Sequence, residues 1–153
     1  MTEQNLRLER INSKLKLNKL PAGLRKYSAD KLGAVISEFI HHIFIERKKS
    51  DALNWCFANI KRTKIFLQVF HANQSGNEIY KEEIAKKLSE YSYKTIAKII
   101  DDGIDKKIFI LMPVDGVAGK DAKVKNIRPS EELIIDFLNI SVEIISYIDT
   151  HKP

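Results

Sequence analysis

Two groups of side chains in this chain have types and spacing suited to chemistry at a surface. Tyr91, Ser92, Tyr93, Lys94 and Lys98 crowd one short stretch, and Lys120, Lys123 and Lys125 follow on a Gly-containing loop and the strand after it. Ammonium groups bond phosphates or guanine edges, and Ser and Tyr hydroxyls serve either. A polyanion is therefore the expected counterpart. Asp101, Asp102 and Asp105 lie further along the same stretch. Their repulsion of phosphate is tolerable only where that end of the segment leaves the polyanion.

Other constellations carry less. Glu38, His41, His42 and Glu46 share a segment, and Glu38 with His41 has the i, i+3 spacing of carboxylate-bridged di-metal bundles. Such sites need a second pair, and none is visible. Phe39, Ile40 and Ile43 own the apolar stripe, so a solvated face and no metal are expected. His71 near a helix end suits a dipole contact, and His151 sits in the tail. Cys56 is the single cysteine, which excludes a disulfide framework or a thiolate zinc set. It reads as a small buried hydrophobe, with a redox role the lesser alternative because no basic neighbour lowers its pKa. Gly116 to Lys120 resembles a phosphate loop only superficially, since it lacks the spacing and precedes a strand. No nucleophile elbow, zinc-protease motif or dinucleotide fingerprint occurs. The expectation is no enzyme and no cofactor.

The elements that must hold these residues follow from periodicity. Leu6, Leu8, Ile11, Leu15 and Leu17 suggest a helix over 3–18 that Leu20-Pro21-Ala22-Gly23 ends. Ser28 caps the next helix, whose Leu32, Val35, Ile36, Phe39, Ile40, Ile43 and Phe44 form one stripe. Asp51 starts a helix expected to run to the turn at Asn73–Asn77. A short helix over Lys81–Leu88, a turn at Ser89–Ser92 and a helix capped by Ser92 come next, with Ile84, Ala85, Leu88, Ile96 and Ile100 inward. Gly103 weakens that last helix by about 1 kcal/mol relative to Ala. Ile108–Met112 and Val124–Arg128 are strands flanking a loop. Ser130 then caps a helix carrying Leu133, Ile134, Ile135, Phe137, Leu138, Ile140, Val142, Ile144, Ile145 and Ile148. Those residues cover more than half its circumference, so it needs burial on two sides. Trp55, Phe57 and Phe66 are core, or line a ligand pocket.

The order helix, turn, helix, strand, loop, strand is that of a winged helix-turn-helix, in which the second helix enters the major groove and the hairpin adds a backbone contact. The expected fold class is mainly α with a small β-hairpin (α+β). Residues 1–50 form an N-terminal helical extension, 51–130 the winged unit, and 131–153 a C-terminal helix, within one compact domain overall. Charge placement matters more than the net +6. Residues 107–130 hold five basic and two acidic side chains, while 78–106 hold six and seven. The wing is basic and the recognition unit is not. A +6 N-terminal 50 residues and a −4 final segment are complementary, and both outer segments are expected to dimerise. No apolar run approaches the ~20 residues of a membrane span, and Met1–Glu9 is polar, so a cytoplasmic location and no membrane partner are expected.

Glu83-Ile84-Ala85-Lys86-Lys87-Leu88, Ser92 to Asp101, and Ile108-Phe109 resemble the multiple-antibiotic-resistance regulator (MarR) type of winged helix. Asp121 to Ser130 resembles that family's wing. Asp121 matches its acidic residue, Lys123 stands in its arginine position, and Ser130 replaces its capping threonine. The resemblance covers roughly 52–150. The chain departs from the family in its longer, more basic N-terminal segment and in Lys107, which stands where a turn glycine is usual. The resemblance implies a homodimer on a palindromic site in double-stranded DNA, with a possible small-molecule effector. The alternative is a winged-helix module that docks protein without sequence-specific DNA binding.

Overall fold

A computed structural model describes residues 2–22, 29–113 and 125–150. The chain is mainly helical and carries one two-stranded antiparallel sheet. In order the elements are α1 (Glu3–Lys14), α2 (Ala29–Phe44), α3 (Asp51–Cys56), α4 (Ile60–Gln74), α5 (Lys81–Lys87), α6 (Tyr93–Asp105), β1 (Phe109–Pro113), β2 (Lys125–Pro129) and α7 (Glu131–Thr150). They divide into two compact units, one of residues 47–138 and one of 1–46 with 139–153. α7 runs through both.

In the unit of residues 47–138 the core is fully closed. Ile65, Phe66, Val69, Ile84, Ile96, Ile100 and Leu133 have no exposed surface, and Phe109 and Ile127 almost none. α4 packs on β2 and α6, α5 on α6, and α6 on β1. Phe66 sits within 5.3–5.5 Å, ring to ring, of Phe57, Phe70 and Phe137. Trp55 meets Phe109 edge-on at 5.6 Å. Such aromatic contacts add about 0.5–1.5 kcal/mol each beyond the area they bury.

The hairpin pairs Phe109 with Pro129 and Leu111 with Ile127. A third segment joins it. Ile127 N–H donates to the Ile79 carbonyl at 2.9 Å, and Asn126 Oδ1 accepts from Ile79 N–H at 2.9 Å. Asn126 is the one buried polar residue among the described residues, because it satisfies a backbone donor that has no strand partner.

Several local expectations change. The helix expected from Asp51 to the Asn73 turn is two helices. α3 ends at Phe57, and Asn59 restarts the chain as α4 by accepting from Arg62 N–H at 2.9 Å. The interruption lets Phe57 and Phe66 face each other. The first helix stops at Lys14, with Leu15 extended, and a short 3-10 turn at Leu17–Lys19 follows. The cap expected at Ser28 lies outside the described residues. The helix starts at Ser92 and Ser130 are as expected. Ser92 Oγ accepts from Thr95 N–H and Ser130 Oγ from Leu133 N–H, each at 3.2 Å.

Gly103 acquires a reason. A Cβ there would lie 2.6 Å from a ring carbon of Phe109 and 3.0 Å from Trp55. The missing side chain admits β1 and α3 against α6. Two residues on from the α6 cap, the chain closes in a Schellman turn. Lys107 takes φ 61°, Lys107 N–H donates to Ile104 O, and Ile108 N–H donates to Gly103 O at 2.8 Å.

The second unit is looser. α1 packs along α2 but buries no residue. Ile43 and Ile144 are its buried side chains among the described residues.

Candidate functional site

α6 is held by its inward residues and presents the others. Ile96 and Ile100 are fully buried, so residues at 94 and 98 point outward on a helix of 3.6 residues per turn, while Tyr93 shares the side of Ile96 and Ile100 at the first residue of the helix. Tyr93 is 49% exposed, and Lys94 and Lys98 are exposed. Tyr93 Oη reaches Glu82 of α5 at 3.4 Å. Ser92 is exposed, yet its hydroxyl is committed twice: it caps α6 and lies 2.9 Å from the Thr95 hydroxyl.

Tyr91 is half-buried. Lys61 and Lys64 of α4 stand 5.6 and 5.4 Å from its ring centroid. Lys64 also donates to Glu90 at 2.6 Å, and that bond holds its ammonium above the usual lysine range. Lys61 and Lys64, outside the set of residues expected from sequence, extend the basic surface beside the turn. Their i, i+3 spacing on one α4 face was the available signal.

The acidic end of α6 is partly neutralised. Lys81 of α5 forms an ion pair with Asp101 at 2.6 Å. Asp102 is half-buried, and Asp105 stays exposed. Lys125 opens β2, whereas Lys120 and Lys123 lie outside the described residues. The structure thus brings Tyr91, Ser92, Tyr93, Lys94 and Lys98 to one end of one helix.

A separate cleft of about 320 Å³ opens beside α3 and α4, lined by Asp51, Asn54, Trp55, Arg62, Lys106 and Ile108 among others. The Arg62 guanidinium lies 4.7 Å from the Trp55 ring centroid. Trp55 Nε1–H is buried and has no hydrogen-bond partner among the described residues. Such a donor costs about 1–3 kcal/mol while it stays unsatisfied. Cys56 next to it is fully buried. Burial pushes its thiol up to about 12, against a smaller opposing pull from Arg62. A thiol in that state is inert at neutral pH, which disfavours redox sensing.

One imidazole of α2 meets a carboxylate of the same helix. Glu38 contacts His42, not His41, because i, i+4 residues stack along a helix. Among the described residues no helix is long and apolar enough to cross a membrane. Comparison of the chain with known protein families, with characterised proteins and with solved structures gives no match.

Proposed function

We propose that the chain is a dimeric transcriptional regulator of winged helix-turn-helix type that binds double-stranded DNA. The observation that carries this reading is the two-faced α6. It buries Ile96 and Ile100 while Tyr93, Lys94 and Lys98 stand in solvent beside its capped N-terminus. The N-terminal half of α6 enters the major groove, with Lys94 and Lys98 on phosphate or guanine edges. Lys61 and Lys64 add phosphate contacts beside the turn. The Lys81–Asp101 pair lowers the repulsion that the acidic half of α6 would otherwise exert. Lys120, Lys123 and Lys125 hold the hairpin to the adjacent backbone or minor groove.

Dimerisation is supported by a seam on α7. Ile135, Leu138, Val142 and Ile145 are 42–66% exposed. Their i, i+3, i+7, i+10 spacing is that of a coiled-coil stripe, which a second copy would cover with the same residues. On α2, Ile36, Ile40 and Phe44 are also about half exposed. The effector, in this reading, enters the Trp55 cleft. Its unpartnered indole N–H, with Arg62 and Lys106 nearby, suits a carboxylate. Trp55 is the only tryptophan, so its fluorescence reports occupancy.

The test is a gel shift on random duplex at several salt concentrations. Binding should weaken steeply with salt. Lys94→Gln, Lys98→Gln and Lys123→Gln should each lower the log–log slope by about 1 per phosphate contact removed. Unchanged affinity and slope in all three would sink the proposal. A second reading, a protein-docking module, is favoured by Ile110, Leu111 and Met112, each over a third exposed on β1. It forecasts no binding to random duplex at low salt.

A further inference from the structure

The cleft beside α3 and α4 carries both signs of charge without letting them meet. The α3 segment sends Asp51, Asn54, Trp55 and Ala58 to it, at the i, i+3, i+4, i+7 spacing of one helix face. α4 sends Arg62, and Lys106 comes from the C-cap of α6. All lie in the unit of residues 47–138. The ion pairs among the described residues join other groups, and Asp51, Arg62 and Lys106 take part in none of them. The Arg62 guanidinium stands 4.7 Å from the Trp55 ring centroid and donates to no acceptor among the described residues. Trp55 itself is 6% exposed, and its Nε1–H also lacks an acceptor among them. The tip of its six-membered ring is spent on α6, 3.0 Å from where a Gly103 Cβ would lie. Nε1 belongs to the other, five-membered ring.

These groups sort by what they can accept or donate. The indole N–H, the guanidinium and the Lys106 ammonium are donors only, whereas the Asp51 carboxylate is an acceptor only. A carboxylate alone would satisfy the three donors, and the guanidinium fork matches its geometry, but it would meet Asp51 as a like charge. An amine alone would suit Asp51 and be repelled by Arg62 and Lys106. A ligand that carries both groups serves every one of them. The cleft volume of about 320 Å³ is at the small end of the range of ligand sites, which are apolar concavities with a few placed polar groups. Trp55, Ala58 and Ile108 supply the apolar walls.

We propose that the Trp55 cleft binds a small zwitterion of the amino-acid class, with one amine, one carboxylate and a short hydrocarbon body. Arg62, Lys106 and the Trp55 N–H take the carboxylate. Asp51 and the Asn54 amide oxygen take the ammonium. The hydrocarbon lies against Trp55, Ala58 and Ile108. Because Lys106 caps α6, an occupied cleft ties α3 and α4 to the C-terminal end of that helix. The inference deepens the effector role given to this cleft and rests on that reading for its consequence at DNA.

The test is titration of the full chain without DNA, followed by Trp55 fluorescence and by calorimetry. The probes are two zwitterions, L-norleucine and 6-aminohexanoate, and their single-charge analogues, hexanoate and hexylamine. Saturable binding of at least one zwitterion is expected, about 10-fold or more tighter than either analogue, and which of the two binds fixes the spacing of the charges. Asp51→Asn, at an exposed position, should lower zwitterion affinity to that of hexanoate and leave hexanoate unchanged. Arg62→Gln should weaken zwitterion and hexanoate alike by about 10-fold or more. The proposal is overturned by no saturable binding of either zwitterion, by hexanoate binding as tightly, or by an Asp51→Asn chain that keeps the preference. Since no DNA is present, failure here and failure of the gel shift are separate results.

Discussion

Residues 47–138 enclose a sealed apolar core, whereas α1, α2 and the outer half of α7 bury only Ile43 and Ile144 among the described residues. Phe66, Ile65, Ile96 and Ile100 are sealed, and even the Phe109 ring has a shaped slot beside Gly103. By contrast Leu6, Ile11, Ile36, Ile40, Phe44, Val142 and Ile145 are all more than a third exposed. Scattered exposed apolar residues are ordinary, but a contiguous stripe marks an interaction surface. The difference teaches that one part of the chain is a self-sufficient scaffold for α6. The other leaves apolar stripes of α2 and α7 in water, the kind of surface that a partner covers.

The sharpest break of this comparison is a core truncation. Phe109→Ala should cost about 3–5 kcal/mol in denaturant unfolding, because it empties the slot between Trp55 and Gly103. A cost below about 1 kcal/mol would mean that this core is not closed.

Gly103→Ala should be next in size. Ala gains about 1 kcal/mol of helix propensity, but its Cβ would sit 2.6 Å from Phe109. Overpacking of this kind costs about 1–3 kcal/mol. A net stabilisation in thermal melts would show that the Phe109 ring yields freely.

A pH titration of stability probes the same core through Cys56. The thiol is pushed from its ordinary value up to about 12 in the folded chain. Burial of the neutral thiol is therefore fully compatible with folding below about pH 9 and opposes it progressively as pH rises toward 12. At pH 10 the loss should be about 1 kcal/mol, and Cys56→Ala should remove that part of the slope. Native protein at pH 7 should also react with a thiol reagent only as fast as it opens.

Lys107→Gly should stabilise by about 1 kcal/mol, since φ 61° strains a residue with a Cβ. A loss instead would assign the Lys107 side chain a contact of its own.

The smallest effect belongs to the looser unit. Val142→Ala should change monomer stability by less than about 0.5 kcal/mol, yet Val142→Glu should dissociate a dimer in sedimentation at micromolar concentration. A dimer that survives Val142→Glu and Ile145→Glu together would remove α7 from the interface.

Local signals in the chain announce much of this. Ser92 and Ser130 are capping residues, and capping is a contact across three residues, so spacing alone reveals it. The inward Ile84, Ile96 and Ile100 follow from helical period, and the strands at Phe109 and Lys125 from β-branched and aromatic runs between turn residues. The break at Phe57–Asn59 was not foreseen, because apolar period continues across it and only the ring contacts of Phe57 and Phe66 require it. Asn126 also gave no warning, since its partner, the Ile79 amide, is 47 residues away.

The same division holds for the candidate sites. The outward lysines of α6 were foreseeable because one buried stripe on a helix dictates what faces away from it. The charged lining of the Trp55 cleft was not, because Lys106 joins it from the far end of α6. Short-range order in this protein comes from hydrogen bonds and sterics between near neighbours, which the residue string specifies. Gly103 against Phe109, Asn126 against Ile79 and Lys106 beside the Trp55 cleft exist only once distant segments are brought within ångströms by burial of the core. That step depends on the packing of the whole chain, and no window of sequence contains it.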